Sequence, residues 1–364
     1  MLGAFKLNGI SKYIVGGPAV ETDFLMTITL TGTDFTINCD NVGVFNATID
    51  WDDASSSTIT TNNDADLSHT YASSGTYQIR ISGTFPSINM FGAPTASKNA
   101  VTSVDNLGEM GWLRLYAAFG GCENMTDFTA GNTDTSAVNS TQFMFYNCFD
   151  LATTDLNLNT SSVISMGYMF YDCNSLTSLD LSTFDTSAVI NMQNMFYACN
   201  NVTTIDVTSF DTGLVQNMES MFGDNWYLTT LDVTGFDTSN VTLMRYMFYQ
   251  CYYLSGLDLS NFNTSAVTNM QDMFYYYGFY TGGVPAISTF NIEAVTNYGR
   301  FMTNSSTTTA NYDAILIAWD ALNPVDNLTV DFGASTYTGG GAAATARASL
   351  ISTDSWTITD GGIA

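Results

Sequence analysis

Five aspartates, Asp155, Asp180, Asp206, Asp232 and Asp258, recur 25 or 26 residues apart. The last four sit between apolar residues, as in Leu179-Asp180-Leu181 and Leu231-Asp232-Val233. In an extended segment the carboxylates therefore share one face and their apolar neighbours the other. If successive segments stack as parallel strands, the carboxylates stand about 4.8 Å apart and each pair repels by about 0.9 kcal/mol in water. Hydroxyls at Ser178, Ser182, Thr204, Thr208, Thr230, Thr234 and Ser260 can donate to them, and this relief, with water, is the expected one. Retained protons, a cationic protein partner, or a hard cation such as Ca²⁺ held weakly along the file are the alternatives. Paired carboxylates also hydrolyse glycosides, but that chemistry needs an acid and a nucleophile in unlike surroundings. A translational repeat makes every carboxylate alike, so no catalytic residues and no enzyme activity are expected.

Other reactive groups are sparse. His69 is the single histidine, which leaves no Ser-His-Asp or Cys-His arrangement to assemble. Cys122, Cys148, Cys173, Cys199 and Cys251 follow the same period, Cys39 stands apart, and none forms a CxxC pair. Adjacent rungs would bring these thiols within disulfide range, yet isolated thiols are among the most buried groups, and free buried thiols are expected. Tyr252, Tyr253, Tyr275, Tyr276, Tyr277 and Tyr280 cluster late in the repeats. Amphipathic rings there can stack on a sugar, anchor a protein, or plug the end of the array. The expected partner surface is Asp180, Asp206, Asp232 and Asp258 with Tyr252, Tyr253, Tyr275, Tyr276 and Tyr277.

The elements that position these residues are repeats. Met144-Phe145-Tyr146-Asn147-Cys148, Met169-Phe170-Tyr171-Asp172-Cys173, Met195-Phe196-Tyr197-Ala198-Cys199 and Met247-Phe248-Tyr249-Gln250-Cys251 align, with Met221-Phe222 and Met273-Phe274 in register. A fixed period near 26 marks stacked units. Within one unit Leu176-x-x-Leu179-x-Leu181-x-x-Phe184 predicts a short strand with its apolar side chains inward. Phe184-Asp185-Thr186-Ser187 and its counterparts predict turns or helix caps, because short polar side chains accept from backbone N–H groups just ahead. Val189 to Phe196 predicts a short helical or irregular return carrying Met and Phe into the core.

The consensus running from Met-Phe-Tyr-x-Cys through Leu-Asp-Leu-Ser-x-Phe-Asp-Thr-Ser resembles the BspA-type leucine-rich repeat over about half of the chain. Members of that family are surface proteins of bacteria, protists and phages implicated in adhesion, so the resemblance implies display and binding. The pattern departs at Asp224-Asn225, where Cys is missing, and decays at Tyr275-Tyr276-Tyr277-Gly278.

Residues 24–84 alternate apolar and polar types as strands do. Ile49-Asp50-Trp51-Asp52-Asp53 and His69-Thr70-Tyr71 through Gly75-Thr76-Tyr77 resemble the signature of a PKD-type β-sandwich, which implies a spacer or adhesion module and a structural role for His69. Toward the end, a helix over 311–322, a strand over 328–332, a helix over 342–351 and a strand over 356–359 are predicted to extend and close the array. The closing Ser349-Leu-Ile-Ser-Thr-Asp-Ser-Trp-Thr-Ile-Thr-Asp-Gly-Gly362 segment is similar to the ends of phage tail and fibre proteins carrying such repeats. The expected fold class is mainly β: a PKD-like β-sandwich (24–86), a linker and N-terminal cap (87–117), a leucine-rich-repeat solenoid with a parallel β-sheet (118–298) and an α/β C-terminal cap (299–364).

Composition bounds the function. Eight Lys plus Arg against 34 Asp plus Glu give a net charge of −26, which excludes binding along a nucleic-acid backbone or an anionic membrane. The N-terminus shows no charged leader followed by an apolar stretch, and no run of 18 apolar residues is present, so neither an export signal nor membrane insertion is expected. Together with the phage-like ending, this leads to the expectation of a bacteriophage virion protein, in a tail fibre, tail tip or capsid attachment. It would dock to other virion proteins through residues 1–23 and bind a host glycan or protein through its repeats, as a homo-oligomer such as the trimer common among fibres. A bacterial cell-surface adhesin is the alternative, and a glycan-cleaving depolymerase a more distant one.

Overall fold

The computed structural model describes residues 22–364. The docking segment expected over 1–23 lies outside them except for Thr22 and Asp23. Period-two alternation builds β1 (Phe24–Leu30), which buries Phe24, Met26, Ile28 and Leu30. β2 (Asp34–Thr36), β3 (Asn46–Asp50), β4 (Ser56–Ile59), β5 (Ser68–Thr70) and β6 (Gly75–Thr84) follow. Strands β4, β3, β6 and β1 pair antiparallel in that order, and β2 pairs with β5 in a separate two-stranded sheet.

After α1 (Thr95–Ala100), β7 (Val101–Asn106) pairs antiparallel with β1 and parallel with β8 (Asp127–Thr129), which pairs parallel with β9 (Thr153–Asp155). One seven-stranded sheet thus runs from the N-terminal part into the first repeat units. Its joining strand comes from the segment expected as linker and cap.

The chain is mainly β, but the expected parallel sheet on the Leu-x-x-Leu-x-Leu segments stops forming regular strands after β9, with a bridge between Thr204 and Thr230 beyond it. The reason is local. Asp180 accepts the Ser182 N–H, and the Phe184 N–H turns back to the Leu181 carbonyl, so donors a ladder would need are used inside the unit.

The continuous ladder lies instead on the segment expected to be a helical return. Parallel bridges link Ser140, Ser165, Asn191, Asn217, Leu243, Asn269 and Asn297 in succession. The N–H groups of Met166, Tyr168, Phe170 and Asp172 donate to the carbonyls of Asn191, Gln193, Met195 and Tyr197 in the next unit, at 2.8–3.0 Å. Between them, Met169, Tyr171 and Cys173 donate back to Met166, Tyr168 and Phe170 within the unit. Every second amide is spent along the array and the others close turns, so a buried backbone is satisfied without helix or regular strand. The alternation puts Tyr168 and Asp172 at φ 60°, and Asn194 and Ala198 at 54° and 59°. A left-handed non-glycine residue costs about 1–2 kcal/mol, which the inter-unit hydrogen bonds must offset.

Inside, Phe145, Phe170, Phe196, Phe222, Phe248 and Phe274 stack with centroids 5.5–6.1 Å apart. Across the core a buried threonine file does the work of a ladder. Thr160, Thr186, Thr212 and Thr238 hydroxyls donate to the carbonyls of Asp185, Asp211, Asp237 and Asn263 in the next unit, at 2.8–3.0 Å. The array ends on α2 (Thr309–Asp320), β10 (Thr329–Asp331), β11 (Thr336–Tyr337), α3 (Ala342–Ser352), β12 (Thr357–Thr359) and β13 (Gly362–Ile363). The helices and longer strands fall within two residues of their expected bounds. Tyr298, Trp319, Phe332 and Trp356 bury their rings over the last unit, and Asp360 ties the end by pairing with Arg347 at 2.7 Å and accepting the Tyr312 hydroxyl.

Candidate functional site

The aspartate file is present as a geometric feature. Asp155, Asp180, Asp206, Asp232 and Asp258 are all exposed on consecutive units. The hydroxyls of Ser182, Thr208 and Thr234 donate to Asp180, Asp206 and Asp232 at 2.6–2.7 Å, and the N–H groups of the same residues donate to the same carboxylates. These hydrogen bonds hold the three carboxyls below the usual carboxylate range, with the Ser260 N–H doing most of the same at Asp258. At Asp206 the neighbouring Asp180 and Asp232 charges push the other way and lose. Hydroxyl donors two residues on, rather than Ser178, Thr204 or Thr230, make these bonds. Among the described residues no group of three or more His, Cys, Asp or Glu side chains could hold a metal ion. Of the five carboxylates considered for weak calcium binding, Asp180, Asp206, Asp232 and Asp258 are each hydrogen-bonded within their own unit.

An open groove of about 600 Å³ is lined by Asp206, Asp232 and Gly256. Its two carboxylates share one environment, each lowered by the hydroxyl and N–H of the residue two positions on.

The more distinctive surface is aromatic. Trp226, Tyr227, Tyr253, Phe279 and Tyr280 are 37–62% exposed, on three consecutive units. Tyr227 stacks on Tyr253 at 5.9 Å and Tyr253 on Tyr280 at 4.8 Å, while Trp226 meets Tyr252 edge-on at 6.0 Å. Large exposed aromatics gathered in one patch mark an interaction surface, whereas single ones do not. The Trp226 indole N–H donates to Asp224 at 2.7 Å. Burial raises the Asp224 carboxyl above its ordinary range, against the pull of that hydrogen bond.

Of the tyrosines expected here, Tyr253 is exposed and Tyr252, Tyr275 and Tyr276 are half-buried. Tyr277 is corrected: it is buried, in the register position that Cys251 holds one unit earlier, so it is core and not surface. Trp226, Tyr227 and Phe279 had not been singled out. A signal for the first two existed, because the two residues after the cysteine position are Asn-Ser or Asn-Asn in the units at 174 and 200 and become Trp-Tyr and Tyr-Tyr at 226 and 252.

The six cysteines are free and buried. Cys148, Cys173, Cys199 and Cys251 donate their thiols to the Phe119, Phe145, Phe170 and Phe222 carbonyls at 3.0–3.2 Å, and Asn225 makes the same bond to Phe196 in the unit lacking cysteine. Burial pushes these thiols well above their ordinary range, which makes them inert. His69 lies flat on Trp51 at 4.9 Å and bonds Asp53 at 2.8 Å, a packing role. No helix among the described residues is long and apolar enough to cross a membrane.

Residues 113–225 and 198–319 match the family described as "Mycoplasma protein of unknown function, DUF285", and the two matches together take in more than half of the chain. That match is consistent with the BspA-type repeat the sequence resembles. No curated protein matches the chain, and no solved structure does.

Proposed function

Because the chain belongs to the family described as DUF285, whose matched region takes in both the aspartate file and the aromatic patch, we propose that it is a non-enzymatic attachment protein that binds its target through the repeat surface. The observation that carries this reading is the patch of Trp226, Tyr227, Tyr253, Phe279 and Tyr280, exposed on three units held rigid by the backbone ladder. The stacked units are read as a leucine-rich-repeat solenoid, supported by parallel bridges at one register per unit. The N-terminal sheets are read as a PKD-like sandwich, supported by the Trp51–His69–Tyr71 ring cluster on the motif that carries the resemblance.

Purified protein should bind intact host bacteria, and the triple variant Trp226→Ala, Tyr253→Ala, Tyr280→Ala should bind at least about tenfold less, since such rings dominate contact energies. Equal binding by the triple variant would sink the patch as the attachment surface. A reducing-sugar assay on the same cells' polysaccharide should show no cleavage. The setting proposed is the virion surface, on the similarity of the 349–362 segment to phage fibre ends, and immunogold labelling of purified particles tests it. A bacterial cell surface is the second reading, favoured by the bacterial name in the family description.

A further inference from the structure

On the ladder face, tyrosines form a second, outward column. Tyr146, Tyr171 and Tyr197 stack at 4.9 and 5.0 Å, and Tyr249 and Tyr275 at 5.2 Å. The column breaks at one rung, where the register position holds Gly223. A neighbouring column breaks beside it: Phe143 stacks on Tyr168 at 4.7 Å, then Asn194 and Ser220 occupy the positions before Tyr246 resumes. Four register positions around one spot thus keep a ring, at Tyr168, Tyr197, Tyr246 and Tyr249, while three at its centre have lost theirs. The result is a cleft of about 420 Å³, within the roughly 300–1,000 Å³ of small-molecule sites.

The walls are half-buried tyrosines and the floor is polar. Asn194 and Ser220 are buried there, and Glu219 lines the cleft with a side chain only 9% exposed. Glu219 pairs with Arg245 at 2.6 Å and accepts the Gln193 amide at 3.2 Å, which neutralises its charge and leaves further lone pairs toward the cleft. Arg300, held by Asp272 at 2.8 Å, lines the cleft as well and supplies donors. Ring faces on the walls, with neutralised acceptors and donors beneath, match a ligand that is apolar on its flat sides and hydroxylated around its rim.

We propose that this cleft is a binding site for a neutral sugar ring of a surface glycan. The inference rests on the attachment reading but uses different residues from the aromatic patch. A cationic ligand would find no unpaired carboxylate in Glu219, which is already matched by Arg245, and would rest on the ring faces alone. An acidic sugar would meet a chain of net charge −26.

The test is an array of immobilised oligosaccharides, neutral and acidic, probed with the full chain. The wild type should bind neutral members. Tyr249→Ala should weaken that binding by about tenfold, while Tyr249→Phe, which keeps the stacking face, should stay within about threefold. Ser220→Tyr restores a ring at a register position where Tyr168 and Tyr246 carry one with the same left-handed backbone, so it should fill the cleft and abolish binding with an unchanged melting temperature. The patch triple variant should bind the array as the wild type does. Absence of neutral-sugar binding, or binding that survives Ser220→Tyr, overturns the proposal, as does tetramethylammonium binding sensitive to Ser220→Tyr without any sugar bound. Cell attachment without sugar binding sinks the cleft alone, and sugar binding without cell attachment sinks the attachment reading alone.

Discussion

Each unit has two long sides, and they hold together by different means. On the Met-Phe-Tyr side, backbone amides bond from unit to unit and phenylalanines stack beneath them. On the Leu-Asp-Leu side, past β9, much of the polar bonding closes within the unit, through Asp180 to Ser182 and its counterparts. Cohesion along the array therefore sits mainly on the first side and on the threonine file at the corner, and the aspartate side is free to vary its surface. The sharpest way to break this comparison is Phe196→Ala, at the middle of the ring stack and fully buried. It should cost about 3–5 kcal/mol, toward the top of that range and above Leu181→Ala on the opposite side, for which such truncations span about 2–5 kcal/mol. Urea unfolding of the two variants checks the order, and a larger loss for Leu181→Ala would overturn the assignment of cohesion.

The threonine corner offers a finer cut. Thr212 is buried and its hydroxyl donates to the Asp237 carbonyl of the next unit, whereas the Thr208 hydroxyl, exposed, only closes on Asp206. Thr212→Val keeps shape but strips the Asp237 carbonyl of its donor, and should cost about 0.5–1.5 kcal/mol. Thr208→Val should cost well under about 1 kcal/mol. Matched denaturant curves giving equal losses would show that the file does not join the units.

Periodicity made the stacking, the Met and Phe core and the buried thiols legible before any coordinates, because those depend only on which positions recur and which are apolar. It could not say which side of the loop carries the hydrogen bonds. The ladder depends on left-handed residues such as Tyr168 and Ala198, whose types carry no signal for that conformation. Tyr277 misled because a run of three tyrosines reads as surface, although its register is that of Cys251. The cleft was legible only as an absence: Gly223 and Ser220 show nothing by themselves, and matter because tyrosines occupy their positions in other units.

Acid sensitivity gives the smallest and most specific test of the two sides. Asp180, Asp206, Asp232 and Asp258 have folded-state pKa values lowered by hydrogen bonds from Ser182, Thr208, Thr234 and Ser260. A lowered carboxyl stabilises the fold fully above its unfolded value of about 3.9, and that contribution is lost as the pH falls through the folded value. Asp172 and Asp224, on the tyrosine side, are raised by burial and work in the opposite sense, so their penalty is relieved as the pH falls toward the same unfolded value. The aspartate side should therefore lose its contribution to the melting temperature below about pH 4, while protonation relieves the other side. Replacing Asp180, Asp206, Asp232 and Asp258 with Asn separates the two effects without breaking the turns. Asn263 already accepts the Ser265 N–H at 3.0 Å and its hydroxyl at 2.7 Å in the same kind of turn. Melting followed by circular dichroism from pH 6 to the acid limit should give a shallower fall for the fourfold variant than for the wild type. Superimposable curves would mean that the aspartate file, despite its regularity, contributes nothing to folding and is purely a surface.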